Sequence, residues 1–114
     1  MDKADNFKIT VTAPETHADL IREAIGQAGG GRIGNYSHCS FTVKGIGRFK
    51  PEKGAHPFIG EEGVMETVEE EFIEVNCSKD KLEAVVRAIK NAHPYEEPVI
   101  DIYPLYSIPR TGRV

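Results

Sequence analysis

The succession of hydrophobic periods constrains this chain most: a period of two, then of 3.6, then of two, and then the same series again. Phe7, Ile9 and Val11 alternate with Lys8, Thr10 and Thr12, which reads as a half-buried strand that Pro14 ends. Thr16-His17-Ala18-Asp19 carries the S/T-x-x-D/E start signal of a helix. Leu20, Ile21, Ala24, Ile25 and Ala28 fall on one face of that helix, with Arg22, Glu23 and Gln27 turned outward. Gly29-Gly30-Gly31 stops it, because glycine readily takes the left-handed conformation of a C-terminal cap. Cys39, Phe41 and Val43, alternating with His38, Ser40, Thr42 and Lys44, predict a second strand.

The series then repeats. A third strand falls within 65–77, where Val68 and Phe72 share one phase and Ile73, Val75 and Cys77 the other. A bulge near Glu71, or a strand covered on both faces, reconciles the two phases. Ser78 or Asp80 caps a second helix whose stripe is Leu82, Val85, Val86 and Ile89, reaching His93 before Pro94 ends it. Positions 99–105 form a last strand, with Ile100 and Ile102 on one side and Val99, Asp101 and Tyr103 on the other.

The order β-α-β-β-α-β, in halves over 7–47 and 65–105, is a pair of split βαβ units. Interleaving them predicts an α+β, ferredoxin-like sandwich: a four-stranded antiparallel sheet with two helices on one face. The helices leave the other face bare, and Val99, Tyr103, Val68 and Phe72 are expected on it. A large exposed apolar face marks an interface, so an oligomer is expected. The 114 residues suit one domain, 1–114, with a core over 7–105 and a tail, 106–114, that has little to bury.

Composition narrows the function. A hydrophobic fraction of 39% and a charged fraction of 28% describe a globular protein. The net charge of −4 and the lack of a basic stripe argue against nucleic acid as a partner. No apolar run nears the ~20 residues that cross a bilayer, so no membrane association is expected. The N-terminus does not read as a signal peptide, and the expectation is a reducing, cytoplasmic location. Cys39 and Cys77, 38 positions apart, form no metal knuckle and read as small buried hydrophobes in strands.

Few motifs carry chemistry. Gly29-Gly30-Gly31-Arg32-Ile33-Gly34 matches G-x-G-x-x-G, but it follows a helix and precedes a strand, which aims the helix dipole the wrong way for phosphate. The histidines His17, His38, His56 and His93 show no ligand spacing. At a helix C-terminus, His93 has a structural use in meeting the last carbonyls. The run Glu69-Glu70-Glu71 reads as a solvated strand face. No nucleophile elbow, Walker loop or Ser/His/Asp order is present, so a self-sufficient enzyme is not expected. The stretch 45–63, rich in Gly, Pro and charge, reads as a long connection, and such loops are often functional.

Three segments carry a resemblance: Gly34-Asn35-Tyr36-Ser37-His38-Cys39-Ser40-Phe41, Gly54-Ala55-His56-Pro57-Phe58-Ile59-Gly60, and Ala92-His93-Pro94-Tyr95-Glu96-Glu97-Pro98. Together they resemble the YqfO-type domain, found alone or inserted in Ngg-interacting-factor-three-like proteins. The last also resembles the His-Pro-Tyr-Glu turn of the CutA divalent-cation tolerance family, and so a PII-like architecture. The resemblance implies a ferredoxin-like fold and a homotrimer. The larger family's dinuclear metal centre lies in flanking domains, so its hydrolase-like chemistry does not carry over. The leading expectation is an oligomeric binding or sensing module with a small-molecule site at His56, Phe58, His93, Tyr95, Glu96 and Glu97. The alternative is a divalent-metal binder using Cys39, His56, His93 and Glu96, and a hydrolase-type enzyme comes last.

Overall fold

A computed structural model describes residues 4–107; the tail from 108 onward lies outside them. Within these bounds the chain runs β1 (Asn6–Pro14), α1 (Glu15–Gln27), β2 (Phe41–Phe49), β3 (Glu66–Ser78), a 3-10 turn (Lys79–Lys81), α2 (Leu82–Ala92) and β4 (Ile100–Pro104). The strands form one antiparallel sheet in the order β2-β3-β1-β4, the interleaving that the repeated series predicts. Ile9, Val11 and Ala13 of β1 and Ile73, Val75 and Cys77 of β3 present one face to Ala18, Ile21 and Ile25 of α1 and Val85 and Ile89 of α2. These residues are the core. Each contributes about 1.5–3 kcal/mol if it is Val, Leu or Ile and fully buried.

β3 is long because it serves two partners. Its C-terminal part, from Glu70 to Ser78, pairs with β1, and its N-terminal part, from Glu66 to Glu74, pairs with β2. Both registers run without interruption, so β3 has no bulge at Glu71. Its two apolar phases face opposite sides: Ile73, Val75 and Cys77 enter the core while Phe72 is exposed, and both faces are covered only at Glu70 and Glu71. Beyond Pro14 the β2–β3 pair continues alone as a two-stranded arm, and the molecule measures 55 × 28 × 23 Å. β2 thus extends to Phe49, and the connection narrows from 45–63 to 50–65.

Several local expectations are corrected. Helix α1 starts at Glu15 behind Pro14, with no side-chain cap from Thr16, since proline has already fixed an extended φ of −61° there. Ala18, not Leu20, joins its buried stripe; Leu20 is exposed because α1 meets the sheet slightly rotated from the predicted face. Arg22 is not turned outward: its Nη1 donates to Glu71 Oε1 at 2.6 Å and to Thr42 Oγ1 at 3.2 Å, tying α1 to two strands. Cys39 is only partly buried and precedes β2, while Cys77 lies in the core. The glycine run is a helix stop: Gly30 N–H bonds Ile25 O and Gly29 N–H bonds Gly26 O, with Gly29 at φ +103°, a Schellman cap. The last strand begins at Ile100, leaving Val99 outside it.

On the bare face stand Phe41, Val43, Phe72 and Tyr103, alternating out of β2, β3 and β4, and all four are exposed. Among the described residues no helix is long and apolar enough to cross a membrane.

Candidate functional site

The site begins where β4 stops pairing. Its last partner on β1 is Val11, opposite Ile100, so Thr12 lies one residue beyond the ladder. His93 takes over at that point. It leaves α2 in an extended conformation (φ −78°, ψ 133°), as a residue before proline prefers, and its backbone N–H still bonds Ile89 O at 2.9 Å. Its ring turns inward to the Thr12 carbonyl, 2.8 Å from Nε2, instead of to the helix's last carbonyls. A carbonyl only accepts, so Nε2 carries the hydrogen and Nδ1 is left to accept from the Tyr95 N–H at 3.1 Å. Both ring nitrogens are therefore engaged. The residue is 7% exposed, and burial holds its pKa below the ordinary 6.5 against the opposing pull of the Thr12 carbonyl and Glu70.

Held in this way, Tyr95 crosses the end of the sheet and donates its hydroxyl to Glu70 Oε2 at 2.6 Å. Burial first, and then the Glu70 carboxylate, push the phenol well above its ordinary range, so it stays protonated and remains a donor. Glu70 is not on a solvated face: it and Glu71 are each only 9% exposed. The Glu70 carboxylate lies over Gly47 of β2, where a Cβ would stand 1.8 Å from Oε1. A side chain at 47 would have to displace that carboxylate.

The 50–65 connection closes the site. Gly63 N–H donates to Pro51 O at 2.7 Å, pinching the loop's base, and the Glu96 carboxylate accepts the His56 backbone N–H at 3.0 Å. Phe58, on this loop, stands 6.4 Å from the Tyr95 ring and meets His17 of α1 edge-on at 5.4 Å. Phe49, at the end of β2, is 6.2 Å from Tyr95. These rings wall a cleft of about 330 Å³ with Glu70, Glu97 and Arg48 among its polar lining.

The structure brings Phe58, Tyr95, Glu96 and Glu97 to the cleft. It places His93 behind Tyr95 as a support, and His56 contributes its backbone N–H. It does not assemble Cys39, His56, His93 and Glu96. Cys39 precedes the start of β2, and the cleft lies past its other end, roughly 26 Å of strand away. Among the described residues no group of three or more His, Cys, Asp or Glu is placed to hold a metal ion. Sequence reasoning missed Glu70, Phe49 and Thr12. Strict alternation along β3 would have put Glu70 and Glu71 on opposite faces, but nothing local links Glu70 to Tyr95.

No family model matches the chain. A Halalkalibacterium halodurans protein named GTP cyclohydrolase 1 type 2 homolog is 52% identical over 99 residues, which are 87% of this chain and 27% of that protein. The Mycobacterium tuberculosis protein of the same name is 42% identical over 106 residues, 93% of this chain and 28% of that protein. The crystal structure of a Bacillus cereus protein related to NIF3 superposes with a TM-score of 0.79 at 41% identity, covering 94% of this chain and 27% of that one. The periplasmic divalent cation tolerance protein CutA from Archaeoglobus fulgidus gives a TM-score of 0.64 at 20% identity, over 92% and 88% of the two chains, a likeness of fold alone. The chain spans about a quarter of the length of the curated relatives it matches. Such identity across nearly its whole length makes it a YqfO-type domain, homologous to one quarter of the NIF3-related GTP cyclohydrolase 1 type 2 homologs and built on a CutA-like ferredoxin fold.

Proposed function

We propose that this domain is an oligomeric binding or regulatory module whose ligand site is the cleft beneath the 50–65 loop. The cleft carries this reading: aromatic walls with a few convergent polar groups are the usual make-up of a small-molecule site. Phe58, Tyr95 and Glu97 contact the ligand, Glu96 and the His56 backbone hold the loop, and His93 holds Tyr95. The oligomer is the homotrimer that the CutA and PII resemblance implies, joined through the bare face. Light scattering coupled to size-exclusion chromatography tests the assembly and should return three times the chain mass; a monomer at micromolar concentration refutes it.

The name of the relatives invites an enzymatic reading, but it belongs to proteins about four times as long. Two of the groups beside the cleft are committed to structure: both His93 nitrogens are bonded, and the Tyr95 phenol is held protonated. Cys77 is buried in the core with its thiol pushed up by that burial. We therefore assign the domain binding and no catalysis of its own. A thermal-shift screen against a metabolite library tests the site, with hits mapped by amide chemical shifts. Hits that perturb Phe58 and Tyr95 support the cleft, and hits that map only elsewhere refute it.

A further inference from the structure

The cleft contains a carboxylate without a cation. Glu70 is nine-tenths buried, and one oxygen takes the Tyr95 hydroxyl. Oε1 has no hydrogen-bond partner among the described residues, and no Lys, Arg or His nitrogen of those residues lies within 4 Å of the carboxylate. Arg48, also on the lining, has no nitrogen within 4 Å of a carboxylate of the described residues. Oε1 is open at the cleft, since among the described residues no side-chain nitrogen or oxygen is both fully buried and unpartnered, and a carboxylate so largely withdrawn from water gains from a cationic partner. Here two features are spent on placing it: a glycine at 47 that leaves it room and a tyrosine, oriented by His93, that fixes it.

Resting on the reading of this cleft as a ligand site, we propose that it takes a small organic cation, an amine or guanidinium on a flat or apolar body, with Glu70 Oε1 as its acceptor. The cationic head meets Oε1 in a charge-assisted hydrogen bond. The body lies against Phe58 and Phe49, whose ring faces attract a cation and accommodate an apolar group equally. Glu97 at the cleft adds negative potential along the approach. A bare metal ion fits less well, since hard cations require several converging oxygens and one free carboxylate oxygen between aromatic walls does not supply them.

Amide chemical shifts of the labelled protein, titrated with benzylamine, phenylguanidine and the neutral isostere benzyl alcohol, test the proposal. Both cations should shift Gly47, Phe58 and Tyr95 saturably, and benzyl alcohol should bind at least tenfold more weakly. Glu70→Gln should weaken the cations at least tenfold while melting at or above the wild-type temperature, because it removes an unpaired buried charge and keeps the shape. Equal binding of amine and alcohol at these residues, or undiminished amine binding by Glu70→Gln, overturns the cation and leaves the cleft as the site. A Glu70→Gln variant melting more than about 5 °C lower makes the charge structural and also overturns it. If Glu70→Gln instead dissolves an oligomer of the wild type, a Lys or Arg of a second copy fills the cleft, which overturns a small ligand. Silence of these residues to all three probes and to the metabolite library overturns the site itself.

Discussion

Glu70 and Glu71 are neighbours in sequence and equally buried, yet they have opposite surroundings. Glu71 faces the helices, where Arg22 reaches down from α1 and neutralises it while also bonding Thr42. Glu70 faces the other way, into the cleft, where it meets a phenol, a glycine and open space. The first arrangement is closed and secures the packing of α1 on β2 and β3. The second is incomplete within the domain. A carboxylate matched by a cation on its own chain serves the fold, and one placed with equal care but left unmatched is available to a partner.

The largest effect expected on the closed side is in the core itself. Ile89→Ala should cost about 2–4 kcal/mol in denaturant melts, since the residue is fully buried between α2 and the sheet. Lys90→Ala, on the exposed side of the same turn, should stay within about 0.5 kcal/mol. Similar costs for the two would mean that α2 packs on a different face.

The two glutamates are separated next. Arg22→Met should cost about 1–3 kcal/mol by leaving Glu71 without its cation, a figure kept below that of a fully buried pair because the Arg22 side chain is 25% exposed and partly screened. Adding Glu71→Gln to it should recover part of that loss, whereas Glu70→Gln alone should cost nothing. If both glutamine variants destabilise alike, the contrast between the faces fails.

Gly47→Ala should cost about 1–2 kcal/mol, because its methyl must displace the Glu70 carboxylate. The Gly45→Ala substitution, at a position with open space around the added carbon, is the matched control and should cost less.

The smallest expected effect is a pH dependence. His93 is neutral in the fold, with its pKa below the ordinary 6.5, so the unfolded chain binds more protons as the medium acidifies. Its contribution is therefore complete above about pH 6.5 and is lost as pH falls from there toward the depressed folded value. Denaturant midpoints of wild type and His93→Gln, compared between pH 7.5 and 5, should converge at the acid end. Parallel curves would show that the ring does not titrate between the two states.

The elements and their order were legible because period-two and period-3.6 patterns are local, and each segment's apolar face reports its own conformation. Gly29-Gly30-Gly31 as a helix stop and Pro94 as the end of α2 were legible for the same reason. The misreadings have a common origin: Leu20, Arg22, Cys39 and Glu70 each take their burial or exposure from an element distant in sequence. The sequence by itself thus determined the βαββαβ order, and with it the antiparallel sheet, the helix-covered core and the bare apolar face. Only the tertiary structure decided the cleft. The contacts that make it, His93 to Thr12 across 81 positions and Tyr95 to Glu70 across 25, join residues whose proximity no local period encodes. They exist because β4 stops one residue short of Thr12, leaving a backbone carbonyl that needs a donor, and the histidine meeting that need carries the tyrosine into place.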